Sequence, residues 1–423
     1  MSNPMKFLWN IDADFENTLL HWANTFSYCI FLNPDKEQQN YPNGSFPKIL
    51  AVASFKKEYN FFSEQLPQSQ WIFGYLGYDL KNQIENLSSQ NPDYLGFEDS
   101  LCFEPEFVFT WLNDRQIEVE CFVPIENEVL KKQILENIDS QEKIATQSTI
   151  QTRVTYQEYC QNVDKIKNHI LEGDIYELNY CTDFFSKNTH IEPIQVYKAL
   201  CKRSPMPFSV FLKAQDKYAL CASPERFLKK QGQTVISQPI KGTIPRGANP
   251  TEDLLQKEKL RNSEKEMAEN MMIVDLVRND LAKSAMVGTT KVTEMFGIYT
   301  FKQLHQMIST IEAQMKPNIS IGEVIKNAFP MGSMTGAPKI KAMELIEHYE
   351  NTKRGLFSGA IGFVNPMGDF DFNVVIRTIF YDAKKHYLSF QVGSAITYDS
   401  SGEQEYEECM LKAKAIREVL NSL

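Results

Sequence analysis

The segment FNVVIRTIFYDAKKHYLSFQVGSAIT, residues 372–397, contains two runs typical of β-strands separated by a short polar turn. A similar run, YALCASPERFL, occupies residues 218–228. Long helical stretches lie between such runs, near 252–283, 337–350 and 403–421. Helices mixed with hairpin-spaced strands, without a regular β-α alternation, favour an α+β fold over a doubly wound sheet.

Length and charge limit the classes of protein that this chain can represent. Its 423 residues, 43% of them hydrophobic, are enough for one large domain or for two to three ordinary ones. A polar stretch, residues 126–153, suggests a boundary between a strand-rich N-terminal part, 1–150, and a second part, 151–423. The net charge of −10, without a dense basic tract, argues against a nucleic-acid partner.

The eight cysteines are scattered, with no CxxC pair and no short Cys/His cluster, so a zinc site is not expected. The N-terminal residues lack the apolar segment of a signal peptide. No stretch is long and charge-free enough to span a bilayer. The expected protein is soluble, reduced and cytoplasmic.

Lys241 follows a strand-like run within QPIKGTIPRG, residues 238–247, and is followed by residues typical of a loop. A free lysine has a pKa of about 10.4, so it becomes a nucleophile only when it is desolvated or lies near other cations. Two interpretations are open. Either Lys241 marks the point where a strand leaves the core for water, or it carries out chemistry.

Glu225, in the motif SPERF, follows another strand-like run. A glutamate there is a general acid if its pKa is raised. Without further context, an ion pair with Arg226 or another neighbour is the simpler interpretation.

Three further glutamates lie on predicted helices, and one of them, Glu269, is a candidate metal ligand on pattern alone. Glu269 borders an apolar stripe on the helix predicted near 252–283. Glu405 and Glu408 share one face of the last helix with Lys412, which is also the spacing of a surface ion pair. Mg²⁺ takes few protein carboxylates and completes its shell with water and substrate oxygens. The positions of Glu269 and Glu408 along the chain do not show whether the two side chains lie close together in the fold.

Two loop-like segments, GSAIT from Gly393 and GSMTGAPK over 332–339, offer backbone N–H groups to an anion. Arg377 lies in a strand-like run, and a buried arginine needs a carboxylate from protein or substrate. His305 lies in a mixed polar and apolar stretch, where a hydrogen-bonded core histidine is the default interpretation. For the two loop-like segments and for Arg377, the alternative interpretation is an ordinary turn or an internal salt bridge.

Eight motifs, in one order, make this chain resemble the chorismate-utilising enzymes, a family that includes anthranilate synthase and isochorismate synthase. They are GDIYELNY, SPERF, PIKGTIPRG, AENMMIVDLVRNDL, FPMGSMTGAPKIKAMELI, GAIGF, IRT and EYEECMLKAKA. The match covers roughly Thr155 to the C-terminus and continues more loosely to GYLGYDL, from Gly74.

The resemblance implies an anthranilate-synthase-like α+β fold with large mixed or antiparallel sheets flanked by helices. The motif PIKGT is that of the branch that forms aminodeoxychorismate, whereas anthranilate synthase has PIAGT. It therefore implies conversion of chorismate and ammonia to 4-amino-4-deoxychorismate, for p-aminobenzoate and folate, through a covalent intermediate on Lys241. The alternatives are an anthranilate synthase component and a non-catalytic paralogue that binds chorismate or a glutaminase.

The resemblance also assigns roles to single residues. Glu225 is implied as the general acid/base that acts on the departing hydroxyl, and Glu269 and Glu408 as Mg²⁺ ligands. Glu405 is implied as a further catalytic group beside the metal or its waters, and His305 as one close to the ring. The implied substrate-binding residues are Gly242, Thr243, Thr335, Arg377, Gly393, Ser394, Ala395 and Lys412.

The chain departs from the family pattern at three places. Phe357 stands where tyrosine is usual, GSA replaces GGG or GAG, and Glu177 replaces a common glutamine. No GxCxGxQ motif of a glutamine amidotransferase occurs in the sequence, so a separate glutaminase subunit is the expected source of ammonia.

Overall fold

A computed structural model describes residues 4–35, 41–57, 66, 69–136 and 149–422. The polar stretch at 126–153, where a boundary was predicted, contains the helix Asn127–Glu136. Residues 137–148 of this stretch lie outside the described residues.

The helices of the described part vary from one turn to more than five turns. They are α1 (Phe15–Ala23), α2 (Lys81–Ile84), α3 (Asn127–Glu136), α4 (Tyr156–Leu171), α5 (Pro193–Arg203), α6 (Pro250–Arg261), α7 (Glu264–Ser284), α8 (Ile321–Ala328), α9 (Lys339–Tyr349) and α10 (Gly402–Asn421). Over the residues described, none of these helices has both the length and the apolar character needed to cross a bilayer.

The strands of the described part are mostly short and buried. In the first half of the chain they are β1 (Met5–Asn10), β2 (Tyr28–Leu32), β3 (Ile49–Ala53), β4 (Ile72–Leu76), β5 (Ser100–Phe103), β6 (Phe107–Asn113), β7 (Gln116–Cys121), β8 (Gln151–Thr152), β9 (Glu177–Lys187), β10 (Phe208–Ala214) and β11 (Lys217–Ser223). In the second half they are β12 (Arg226–Gln231), β13 (Thr234–Gln238), β14 (Ile240–Pro245), β15 (Lys291–Thr300), β16 (Leu304–Gln314), β17 (Gly336–Ala337), β18 (Ala360–Val364), β19 (Phe370–Asn373), β20 (Thr378–Asp382) and β21 (Tyr387–Ile396).

These strands form two large antiparallel sheets, which confirms the predicted α+β class. The first has the order β1-β7-β6-β3-β2-β10-β11-β20-β21-β9-β17, with β8 also paired to β9. The second has the order β14-β16-β13-β12-β19-β18-β4-β5, with β15 also paired to β16. Both sheets combine strands from the two sides of residue 150, since β2 pairs with β10 and β4 pairs with β18.

The long helix predicted over 252–283 is two helices, α6 and α7. The Ser263 side chain accepts a hydrogen bond from the Glu266 N–H and so begins a new helix after Arg261. A capping box formed by Thr155 and Glu158 likewise starts α4. The restart at Ser263 decides the direction in which the acidic side chains of α7 point.

A buried ion pair joins two strands of the second sheet. Arg226 on β12 donates to both carboxylate oxygens of Asp371 on β19, at 2.9 and 3.0 Å, and its side chain is fully enclosed. Arg226 therefore does not pair with its neighbour Glu225, and that simple interpretation of Glu225 is wrong.

Replacing Asp371 by asparagine should lower the free energy of unfolding by about 3–5 kcal/mol, because it leaves a buried guanidinium without its counter-charge. Chemical denaturation followed by circular dichroism measures this loss. Asp369→Asn is the matched control, since Asp369 pairs with Lys230 at a more exposed position and should cost about 1 kcal/mol or less. Equal losses in the two variants would contradict the expectation.

Candidate active site

A cavity of about 920 Å³, its open mouth included, lies where the two sheets meet α7 and α10. One wall comes from β14 and β16 of the second sheet, and another from β9 and β21 of the first. The cavity collects ten of the side chains or backbone positions predicted from the sequence. They are Glu225, Lys241, Gly242, Thr243, Glu269, Arg377, Gly393, Ala395, Glu408 and Lys412.

Lys241 lies on β14 at an irregularity in its pairing with β16. Ile240 pairs with Ile308 and Thr243 with Gln306, so one extra residue is accommodated between them. Gly242 has a φ of +90°, which a side chain at that position would disfavour. The strand continues to Pro245, so the loop expected after Lys241 is instead a bulged strand that directs the amine into the cavity.

The amine of Lys241 is 9% exposed, and its Nζ lies 3.6 Å from Glu177 Oε1. Burial lowers the pKa of Lys241, but the charges of Glu177 and Glu269 outweigh it and hold the pKa above 10.5. The interpretation of Lys241 as a residue leaving for water is therefore wrong. The lysine is buried, and without substrate it carries a proton.

Glu225 follows β11 and is 4% exposed. Its Oε1 accepts a 2.6 Å hydrogen bond from the Ser333 hydroxyl. Burial raises the pKa of Glu225 to about 7, although Ser333 and Lys241 oppose the shift. A carboxyl group with that pKa gives up or takes a proton near neutral pH.

Arg377 and Lys412 are cationic residues that also line the cavity. Arg377 lies between β19 and β20 with a φ of +52°, not inside a regular strand as predicted. Among the described residues, no carboxylate lies within 4.0 Å of it, and burial lowers its pKa to about 10. Lys412 donates to the Gly393 carbonyl at 2.8 Å and pairs with Glu408 Oε1 at 2.7 Å. A half-buried guanidinium without a protein carboxylate suits an anionic ligand.

The acidic wall comes from α7 and α10. Glu269 is 7% exposed, and its buried Oε1 has no hydrogen-bond partner, with the nearest cation, Lys265 Nζ, at 3.8 Å. Burial raises the pKa of Glu269 to about 7. Glu408 is more open, and the ion pair with Lys412 lowers its pKa. The fold therefore brings together the two carboxylates that sequence spacing could not join.

Four predicted residues do not line the cavity in the described part of the chain: His305, Thr335, Ser394 and Glu405. Side chains alternate across a strand, so Gln306 on β16 faces the cavity while His305 contacts Asp253 at 2.9 Å and Thr300 at 3.0 Å.

The same alternation explains Ser394, whose hydroxyl lies 3.0 Å from the Tyr159 hydroxyl behind β21. Thr335 donates to the Met331 carbonyl at 3.1 Å. Glu405 is 1% exposed and contacts Ser400 and Lys265, so it reaches the cavity only through the lysine. Their roles in binding or catalysis remain predictions.

The two segments expected to bind anions are built differently from the prediction. The first four residues of GSAIT, Gly393 to Ile396, are the end of β21 and pair with β9, so they are not a loop after a strand. A side chain at Gly393 would meet Cys181 Sγ at 2.4 Å, so the strand approaches its neighbour closely there. In GSMTGAPK, Ser333 and Met334 line the cavity, whereas Lys339 at the start of α9 contacts Asp280 instead.

Sequence reasoning gave no role to several polar groups that line the cavity or support it: Glu177, Asn179, Lys265, Glu266, Gln306 and Ser333. Ser333 was inside a quoted motif, and Gln306 is adjacent to a candidate histidine, so strand and turn periodicity could have identified both. Phe357 lies in the cavity wall, where the usual tyrosine would add a hydroxyl.

The family model of the chorismate binding enzymes matches residues 8–418, which extends the resemblance well beyond the predicted start at Thr155. Over 309 residues the chain is 38% identical to the chloroplastic aminodeoxychorismate synthase of Arabidopsis thaliana, covering 72% of this chain and 33% of that one. It is 32% identical over 373 residues to aminodeoxychorismate synthase component 1 of Escherichia coli, covering 87% and 80%. The matched part of the chain thus spans about a third of the length of the plant relatives.

Among solved structures, anthranilate synthase component I from Streptococcus pneumoniae superposes with a TM-score of 0.72, at 23% identity, over 98% of this chain and 92% of that one. This confirms the predicted anthranilate-synthase-like fold.

Proposed function

Since this chain belongs to the chorismate binding enzymes, we propose that it converts chorismate and ammonia to 4-amino-4-deoxychorismate. The observation that carries the proposal is the position of Lys241. Its amine is buried in the cavity that also holds Glu225, Arg377 and Lys412. The relatives named aminodeoxychorismate synthase support the choice of this reaction over others within the family.

Chorismate carries two carboxylates, and the cavity offers two cationic groups to them. Among the described residues no carboxylate lies within 4.0 Å of Arg377, so it can pair with a substrate carboxylate without breaking an ion pair. Lys412 is held in place by the Gly393 carbonyl and Glu408. These contacts orient the ring between Lys241 and Glu225.

The proposed reaction begins when the lone pair of Lys241 Nζ forms a bond to C2 of the ring. Both ring double bonds shift, C1=C2 to C1=C6 and C5=C6 to C4=C5, and the bond from C4 to its hydroxyl breaks. Glu225 gives that hydroxyl a proton so that water leaves. Ammonia then bonds to C4, and the bond from C2 to Nζ breaks with the reverse shift. Glu225 is suited to give this proton because burial raises its pKa to about 7, so a large fraction of its carboxyl groups is protonated near pH 7.

Glu269 and Glu408 are the side chains that would hold Mg²⁺. Their fit is supported by the buried, unpartnered Oε1 of Glu269 and by the hard oxygen donors that both residues supply. When bound, Mg²⁺ neutralises a substrate carboxylate. In the described residues, the one group of three metal-type side chains within 4.8 Å is His169, Glu172 and Asp174, which lies outside this cavity.

Glu408→Gln should raise the Mg²⁺ concentration needed for half-saturation by at least about tenfold, because one of two carboxylate ligands is lost. Isothermal titration of Mg²⁺ in the presence of chorismate measures this without turnover. Glu407→Gln is the matched control, since Glu407 is exposed on the same helix and does not line the cavity. Superimposable titrations of parent and Glu408→Gln would remove Glu408 from the metal site.

Ammonia has to come from another source, and we propose a separate glutaminase subunit. The bacterial relatives are named component 1, which supports a second chain as their partner. We further propose a role in p-aminobenzoate and folate synthesis, in the cytoplasm.

Product analysis tests the proposed function. The purified chain is incubated with chorismate, Mg²⁺ and ammonium, and the products are separated by chromatography with mass detection. We expect 4-amino-4-deoxychorismate. Anthranilate as the sole product would identify an anthranilate synthase instead, and unchanged chorismate would indicate a paralogue that binds without turnover.

A further inference from the structure

Glu177 is the only carboxylate within 4.0 Å of Lys241 among the described residues. It begins β9 and is 1% exposed, and its Oε1 lies 3.6 Å from Lys241 Nζ. Its other oxygen, Oε2, is buried without a hydrogen-bond partner. Glu177 is not part of the cavity wall, so it approaches the amine from the protein side.

Burial disfavours the charged form of both Glu177 and Lys241. It raises the pKa of Glu177 and opposes the charge of Lys241, which the attraction of Glu177 and Glu269 keeps protonated. An ion pair that leaves one carboxylate oxygen without any partner gains little to offset its desolvation. Transfer of one proton from Lys241 to Glu177 turns the pair into an amine beside a carboxylic acid and removes both buried charges.

We propose that Glu177 accepts the proton that Lys241 must lose before it attacks the substrate. One N–H bond of the ammonium breaks, an O–H bond forms on Oε1, and the electron pair stays on Nζ as the attacking lone pair. This inference rests on the proposed function, in which Lys241 is the nucleophile.

The other charged groups near Lys241 line the cavity, where substrate is proposed to bind. They are Glu225, Glu266, Glu269, Glu408 and Lys412. Glu225 has a proton to give to the leaving hydroxyl, and Glu269 and Glu408 would hold Mg²⁺, so none of these three is available to keep the proton of Lys241. Burial and the charge of Glu408 raise the pKa of Glu266, and neither of its carboxylate oxygens lies within 4.0 Å of the amine. Glu177 is the group that is both adjacent and otherwise without a role.

The first test needs no chorismate. Competitive labelling with acetic anhydride at a series of pH values, read by mass spectrometry of the peptide that contains Lys241, gives the apparent pKa of this amine. In Glu177→Gln that pKa should fall by at least one unit, because the nearest negative charge is gone. In Glu177→Asp the pKa of Lys241 should fall by less, because a carboxylate is retained. Glu120→Gln is the matched control, a buried glutamate that pairs with Lys6 in the first sheet, and should leave Lys241 unchanged.

The second test follows formation of the Lys241 adduct with chorismate between pH 6 and 7, with Mg²⁺ and without ammonia. In the parent protein the proton stays within the pair, so the rate should be nearly constant. In Glu177→Gln the proton must pass to solvent, so the rate should be about 10²-fold lower at pH 6 and rise toward tenfold per pH unit. Glu177→Asp should restore the flat profile at reduced rate.

The outcomes separate this inference from the proposed function. A parent protein that is labelled at Lys241 but forms no adduct refutes the proposed function and this inference with it. A Glu177→Gln variant with the parental pKa of Lys241, or with the parental rate and flat profile, refutes the role of Glu177 alone. A uniform loss of rate without a change in pH profile indicates a structural role and also overturns the inference.

Discussion

Lys241→Ala should lower the rate of 4-amino-4-deoxychorismate formation by between about 10³- and 10⁶-fold, since it removes the atom that bonds to the ring. Chorismate binding should change much less, because Arg377, Lys412 and the acidic wall remain. The measurement is product formation from chorismate, Mg²⁺ and ammonium, together with chorismate affinity by calorimetry.

Lys213→Ala is the matched control for this substitution. Lys213 is a partly buried lysine on β10 that donates to the Asn24 carbonyl and does not line the cavity. It should retain the parental rate. Parental product formation by Lys241→Ala would refute the covalent route, whereas equal losses of chorismate binding and of rate would point to a binding role for the lysine.

Glu225→Gln should slow formation of the Lys241 adduct by about 10²- to 10⁴-fold, because the departing hydroxyl then lacks its proton donor. The adduct is the better readout here, since its formation needs no ammonia, whose own protonation changes with pH. In the parent protein the rate should fall tenfold per unit as pH rises above about 7, because only the neutral form of Glu225 can donate. In Glu225→Gln this decline should disappear.

Ser333→Ala provides a sign test for the same assignment. The Ser333 hydroxyl donates to Glu225 and stabilises the charged carboxylate, so it lowers the pKa of Glu225. Its removal should raise that pKa and move the alkaline decline to higher pH. A decline that stays in place in Ser333→Ala, or that persists in Glu225→Gln, would show that another group supplies the proton.

The sequence predicted the kind of fold and much of the cavity, because strand alternation, helix caps and motif order are local signals. The predicted Lys241, Glu225, Arg377 and Lys412 do converge on one cavity. That convergence itself came from the family resemblance, since nothing in the spacing of Glu269 and Glu408 places α7 next to α10.

Other errors have local physical causes. Ser263 provides a cap in the middle of an apparently continuous helical pattern, so α6 and α7 were merged. His305 and Ser394 lie one residue from positions that line the cavity, and the alternation of β16 and β21 turns them to the opposite face. A single-residue register cannot be fixed before the partners of a strand are known.

The protonation state of Lys241 could not be predicted from the sequence either. An apolar approach strand suggests a desolvated amine, yet Glu177, more than sixty positions away along the chain, lies 3.6 Å from Nζ and keeps it charged. The balance between burial and one adjacent carboxylate depends on long-range pairing that no local pattern contains.

The most direct test of this account is mass spectrometry of the protein after it is mixed with chorismate and Mg²⁺ without ammonia and quenched in acid. The account predicts a species heavier by chorismate less one water, with the added mass mapped to Lys241. Rapid product formation once ammonium is supplied, with Lys241 unmodified at every quench time, would contradict it.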